Sequence, residues 1–186
     1  VEEPFVIQAA YEPIFWETLP HEVLYTVLQS QQRCFPSSKN NHFLVVVDGK
    51  RTLFGEIREG NERVVRARLS DARFFFNEDL KKPLGDLRAT LNRTKFHEKL
   101  GSIGDKVTRI ESLTRHIGKI VNLSAHQASD ADAIAALAKC DLATHMVGEF
   151  GVLQGIMGRE YALRQSAFEA LGDRRTAVAN GIFEHY

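Results

Sequence analysis

Seven apolar residues recur at steps of three and four between Leu100 and Ile120, and this repeat constrains the fold more than any other feature of the sequence. They are Leu100, Ile103, Val107, Ile110, Leu113, Ile117 and Ile120. Such spacing places the seven side chains along one side of a long α-helix, which then has an apolar side to bury. Similar spacing continues over much of the chain beyond Gly60, so the sequence predicts a mainly helical part there. A third helix is expected to begin near Ser129, a possible N-cap followed by Asp130 and Asp132, and to continue through Leu142.

The first 57 residues have a different pattern, which indicates mixed structure. PFVIQAAY (4–11) and HFLVVVDG (42–49) have the composition of short strands, and the second ends in a turn signal. Between them, the segment from Leu19 to Pro36 has helical spacing and stops at a proline. The fold class predicted from these patterns is α+β, with a small strand-and-helix part at 1–57 and a mainly helical part at 58–186.

The segment NERVVRARLSDARFFFNEDLKK (61–82) combines four arginines with three consecutive phenylalanines. Its apolar residues at steps of four, three and four predict one buried side of a helix. These residues are Val65, Leu69, Ala72 and Phe76. The three phenylalanines are therefore expected to face mostly towards a core, and the arginines to lie on other sides.

Arg63, Arg66 and Arg73 fall within one arc of this predicted helix, and Arg68 lies apart from them. A basic arc next to aromatic residues is typical of a surface that binds nucleic acid, but a solvated charged face has the same pattern. The formal net charge is +0, so overall charge does not favour a polyanionic partner. Both interpretations of the arc remain open on the residues alone.

The composition points to a reduced, cytoplasmic protein without membrane segments. The two cysteines, Cys34 and Cys140, are far apart and match no zinc spacing, and no disulfide is expected. No apolar run approaches the length of a membrane span, and no signal peptide is visible. The chain begins at Val1 and stops at Tyr186 directly after a helical pattern, so we expect a segment of a longer protein.

One short segment, AKCDLATHMV (138–147), could carry chemistry. Asp141 and His145 are four residues apart, which on a helix would place a carboxylate and an imidazole on one face as possible metal ligands. The alternative is a structural hydrogen bond between the two. Cys140 is expected to be a small buried side chain and His97 a structural histidine. Neither a phosphate-binding glycine loop nor a nucleophile motif is present.

Four segments, in order, resemble the central region of the bacterial glycyl-tRNA synthetase β-subunit family. They are LPHEVLYTVLQSQQRCFP, GNERVVRARLSDARFFFNEDLKKPL, FHEKLGSIGDKVTRIESL and LAKCDLATHMVGEFGVLQGIMGREYA. The resemblance covers most of residues 18–186. It implies that 1–57 is the C-terminal part of a mixed α/β body domain. It also implies that 58–186 is similar to an HD-type helical domain that is incomplete at its C-terminus.

The resemblance further implies a role in protein synthesis. The family's enzyme is an α2β2 tetramer whose α subunit uses ATP and Mg²⁺ to activate glycine, while the β subunit contributes mainly recognition of tRNA(Gly). No catalytic residue, metal or cofactor is therefore expected in this chain. The candidate tRNA-binding residues are Arg63, Arg66, Arg73, Lys81 and Lys82.

In HD-type phosphohydrolases a His-Asp doublet, with further His and Asp residues, holds a divalent metal. The doublet position here is Cys140-Asp141, followed by His145, so the resemblance implies a degenerate site. Two alternatives to tRNA engagement remain. One is an architectural module that docks the α subunit without contacting RNA. The other is a residual metal phosphohydrolase that uses Asp141, His145 and possibly His97.

Overall fold

The computed structural model describes residues 4–48 and 50–186, which divide into two compact units, Val1–Asn77 and Glu78–Tyr186. The first unit contains a small antiparallel sheet of three strands in the order β1-β3-β2. These strands are β1 (Phe5–Ala10), β2 (Phe35–Pro36) and β3 (His42–Val47). The strands predicted at 4–11 and 42–49 are confirmed, except that Gly49 lies outside the described residues.

The sheet alternates between a buried and an exposed face. β1 and β3 pair from Phe5 opposite Val47 to Ala10 opposite His42. Successive residues of a strand point to opposite faces, so Ile7 and Val45 are buried while the paired Val6 and Val46 are exposed. The buried face forms part of the core of the first unit.

Three helices belong wholly or mainly to this unit. They are α1 (Pro13–Thr18), α2 (His21–Thr26), which continues as a wider π turn over Val27–Gln31, and α3 (Phe54–Leu80). The helix predicted between the two strands is therefore confirmed. In α3 the predicted apolar side is also confirmed, because Val65, Leu69, Ala72 and Phe76 are all buried.

The second unit is mainly helical, which together with the small sheet of the first unit confirms the α+β class. Its regular elements are α4 (Arg88–Leu91), β4 (Lys95–His97), β5 (Gly101–Ser102), α5 (Ile103–Ile120), α6 (Ala125–Leu137), α7 (His145–Glu149), α8 (Ile156–Arg164) and α9 (Arg175–Glu184). Short 3₁₀ turns join several of them, at Leu84–Leu87, Cys140–Ala143, Gly151–Leu153 and Ser166–Arg174. No helix in the described ranges is both long and apolar enough to cross a membrane.

Helix α5 forms as the repeat predicts, but only Val107 of the seven repeat residues is buried. The helix begins after Ser102, whose hydroxyl accepts from the Asp105 amide while the Asp105 carboxylate accepts from the Ser102 amide. Near this end Val107 is fully buried. Further along, Leu113, Ile117 and Ile120 are 58%, 54% and 64% exposed. Periodicity predicted the helix correctly, but in the described second unit the second half of its apolar side remains exposed.

The third predicted helix starts and ends elsewhere. We expected it to begin near Ser129 and to continue through Leu142. Helix α6 instead begins after Ser124, whose hydroxyl accepts from the Gln127 amide, and it ends at Leu137. The backbone then reverses through Lys139, which has a φ of 66°. Asp141 and His145 consequently do not share a helix.

The division between the compact units falls at 77/78, inside α3. The sequence places its boundary at 57/58, before that helix. The assignment of 1–57 to a body domain and of 58–186 to an HD-like domain stays a prediction.

Candidate functional site

The basic side of α3 is built as its sequence predicts. With the apolar side buried, Arg63 and Arg66 are exposed and Arg73 is half buried. Arg66 forms an ion pair with Glu12, and both side chains are substantially exposed. Such a pair contributes at most about 1 kcal/mol to stability, so Arg66 can exchange this partner for another anion at little cost.

One residue of this surface was missed at the sequence level. Phe74 was expected to face mostly towards the core with its neighbours, but it is 60% exposed. Only Phe76 of the three is buried, and the ring of Phe75 lies edge-on to that of Phe74 with their centroids 5.8 Å apart. An exposed aromatic ring on the same helix as the three arginines can stack on a nucleic-acid base. The run of three phenylalanines was the available signal, since one helix side cannot bury three consecutive residues.

Lys81 and Lys82 follow α3 directly and are part of the second unit. Both are exposed, and Lys81 forms an ion pair with Glu78 three residues earlier. The backbone carbonyl of Lys82 accepts a hydrogen bond of 2.7 Å from the side-chain amide of Gln165. The loop that carries the two lysines is therefore fixed to the end of α8.

Asp141 lies in a 3₁₀ turn and is almost completely buried. One carboxylate oxygen accepts from the Gly155 amide at 2.6 Å, and the other accepts from the Tyr186 hydroxyl at 2.7 Å. Burial, followed by the Asp141 charge, raises the pKa of Tyr186, so this hydroxyl stays protonated and donates. Asp141 thereby joins the Cys140 turn to the start of α8 and to the end of the described chain.

His145 is bound to a partner that the sequence did not reveal. Its side chain is 69% exposed, and its Nδ1 lies 2.8 Å from a carboxylate oxygen of Asp79. The same oxygen accepts from the His145 amide at 2.9 Å. The other oxygen of Asp79 accepts from the Met146 amide and from the Tyr161 hydroxyl, each at 2.9 Å. Asp79 is buried, and it holds the start of α7 against the end of α3 within the second unit.

The residues that the resemblance predicts at a degenerate HD position, Cys140, Asp141 and His145, do not fit a metal centre. Both oxygens of Asp141 are used by protein donors, and the imidazole of His145 contacts Asp79 instead. Cys140 is fully buried, and burial raises the pKa of its thiol to about 12, which suppresses the thiolate that binds metals. His97 lies exposed in β4, and its Nδ1 accepts from the Lys99 amide. In the described parts of the chain, no group of three or more His, Cys, Asp or Glu side chains is arranged to hold a metal ion.

Comparison with known proteins identifies relatives along the whole chain. Residues 1–186 match the family model described as glycyl-tRNA synthetase beta subunit. The glycine–tRNA ligase beta subunit of Shouchella clausii is 40% identical over 191 residues, covering 100% of this chain and 26% of that protein. The corresponding protein of Desulforamulus reducens is 44% identical, with 90% and 24% covered, and that of Halothermothrix orenii is 42% identical, with 100% and 27% covered. The chain spans about a quarter of the length of these curated relatives.

Proposed function

Because the chain belongs to the glycyl-tRNA synthetase beta subunit family, we propose that it is a non-catalytic part of a glycine–tRNA ligase that engages tRNA(Gly). In this proposal the α subunit of an α2β2 enzyme activates glycine with ATP and Mg²⁺. This chain binds the RNA and contributes to assembly of the enzyme. The observation that supports the proposal most is the exposed side of α3, where arginines and an aromatic ring lie opposite a fully buried apolar stripe.

The chemistry of that surface suits the RNA backbone. Arg63, Arg66 and Arg73 neutralise phosphates and release the counterions that the RNA has condensed. Contacts of this kind position the RNA without reading its sequence. The ring of Phe74 adds stacking on a base at an unpaired end or loop, where bases are accessible. Lys81 and Lys82 extend the set of cations beyond the end of the helix.

The test reverses charge at Arg63→Glu and Arg66→Glu within the intact ligase. We expect weaker binding of tRNA, and a plot of log affinity against log salt that is shallower by about one per lost phosphate contact. Arg93→Glu is the matched control, because Arg93 is an exposed arginine of the second unit that the proposal does not use. Unchanged affinity and slope in the double variant would remove the assignment of this surface.

A second candidate function, docking of the α subunit, is favoured by a different observation. The exposed half of the apolar side of α5, formed by Leu113, Ile117 and Ile120, is the kind of surface that another protein covers. Binding of this chain to the α subunit and to tRNA, measured side by side, separates the two functions. Binding to the α subunit alone would favour the architectural function.

A further inference from the structure

A cavity of about 370 Å³ in the second unit lies where the end of α3 meets the turn after α8. It is lined by Leu80, Lys81, Pro83, Arg164, Gln165, Ser166 and Ala167. Its volume is near the lower end of the range of about 300–1,000 Å³ that is common for ligand sites. The cavity is distinct from the Cys140-Asp141 turn, and it includes only one of the candidate tRNA-binding residues, Lys81.

The walls of this cavity are held in place by a buried side chain, Gln165. Its amide nitrogen donates to the Lys82 carbonyl at 2.7 Å, and its amide oxygen accepts from the Leu84 amide at 2.9 Å. Its own backbone carbonyl accepts from the Arg175 guanidinium at 2.6 Å. The loop with Lys81 and the residues around Ser166 are therefore fixed on either side of the opening before any ligand enters, which reduces the entropy lost on binding.

The charge of the lining is positive. In the part of the chain that the structure describes, the cavity walls contribute two cations, Lys81 and Arg164, and no carboxylate. Arg164 also forms an ion pair with the buried carboxylate of Glu160, which contacts Arg159 as well. The exposed Lys81 has the half-buried Glu78 as its partner, a pairing that an incoming anion can replace at little cost. The charged side chains that line the opening are therefore both cations.

We propose that this cavity binds a phosphate group, and that the group is one phosphodiester of the bound RNA. The Lys81 ammonium supplies a mobile point charge, the Arg164 guanidinium a planar set of donors, and Ser166 a hydroxyl donor. All three suit the oxygens of a phosphate. The choice of RNA as the source rests on the proposed function, whereas free phosphate would use the same donors.

The test measures tRNA affinity over a range of salt concentrations with the intact ligase carrying Lys81→Gln together with Arg164→Gln. We expect uniformly weaker binding and a salt slope shallower by about one. Lys95→Gln is the control, because Lys95, like Lys81, is an exposed lysine paired with a glutamate three residues away. Ser166→Ala, which leaves every charge in place, serves as the second variant if the double variant unfolds, and weaker tRNA binding is expected from it.

A second arm identifies the source of the phosphate. Inorganic phosphate, added at constant ionic strength, should compete with tRNA for the unsubstituted enzyme and should compete less well for the double variant. If phosphate binds in this way but the salt slope for tRNA is unchanged, the RNA assignment is overturned. If neither tRNA nor phosphate binding changes, the site itself is overturned. The Arg63 and Arg66 variants test the α3 surface separately. Unchanged tRNA binding in those variants would count against the proposed function, whereas unchanged binding in the Lys81 and Arg164 variant would count against the phosphate site.

Discussion

Replacing Asp79 with alanine is the most direct test of how the second unit is held together. The substitution removes four hydrogen bonds, of which two come from buried donors, the Met146 amide and the Tyr161 hydroxyl. A buried donor left without a partner costs about 1–3 kcal/mol. The imidazole of His145 can turn to water, since that side chain is mostly exposed. We therefore expect Asp79→Ala to lower the free energy of unfolding by about 3–5 kcal/mol.

The measurement is urea unfolding followed by far-ultraviolet circular dichroism, because the second unit is mainly helical. Asp79→Asn should lower the free energy of unfolding by less, since the side chain keeps its shape. Its remaining oxygen can still accept from the Met146 amide and the Tyr161 hydroxyl. Asp71→Ala, on the exposed side of the same helix, should change stability by no more than about 0.5 kcal/mol. A loss below about 1 kcal/mol for Asp79→Ala would show that these hydrogen bonds do not organise the unit.

Two further predictions concern the end of the described chain. Tyr186→Phe removes one of two donors to the buried Asp141 and should lower the free energy of unfolding by about 1–2 kcal/mol in the same assay; an unchanged value would refute this role. Burial lowers the pKa of His185, whose Nε2 accepts from the Lys139 amide only when the imidazole is neutral. The unfolded chain therefore binds the imidazole proton more tightly than the folded chain does. The contribution of His185 to the free energy of unfolding is complete above pH 6.5, near the ordinary pKa of histidine, and should fall as the pH drops below that value. His185→Gln should flatten that fall whereas His126→Gln, at an exposed position, should not; equal curves would contradict the assignment.

The elements that the sequence predicted well are those whose signal is local. The two predicted strands of the first unit, β1 and β3, have alternating or continuous apolar runs next to turn residues, and α3 and α5 have sustained helical spacing. The start of α6 could also have been read locally, because Ser124 is followed three residues later by Gln127 in a capping pattern. We predicted Ser129 instead because acidic residues follow it, which is a weaker signal than a reciprocal cap.

The errors arose where the apolar pattern continues through a break in the helix. Ala138 and Leu142 keep the spacing of α6, although the backbone turns at Lys139 without a glycine or proline to mark the position. Asp79 was missed for another reason, since its partners His145 and Tyr161 are far away in sequence and no local pattern relates them. The exposed half of α5 shows the same limit, because periodicity defines an apolar side but not what covers it.

The two thiols described above lie one in each compact unit. Cys34 is buried in the first unit and Cys140 in the second, and burial raises the pKa of both. Neither thiol can react with an alkylating reagent until its surroundings open, because reaction requires both access and a thiolate. The rate at which each becomes modified therefore records how often its own unit opens. The chain thus carries two natural reporters, distinguishable by peptide mass, of whether the units unfold together or one at a time.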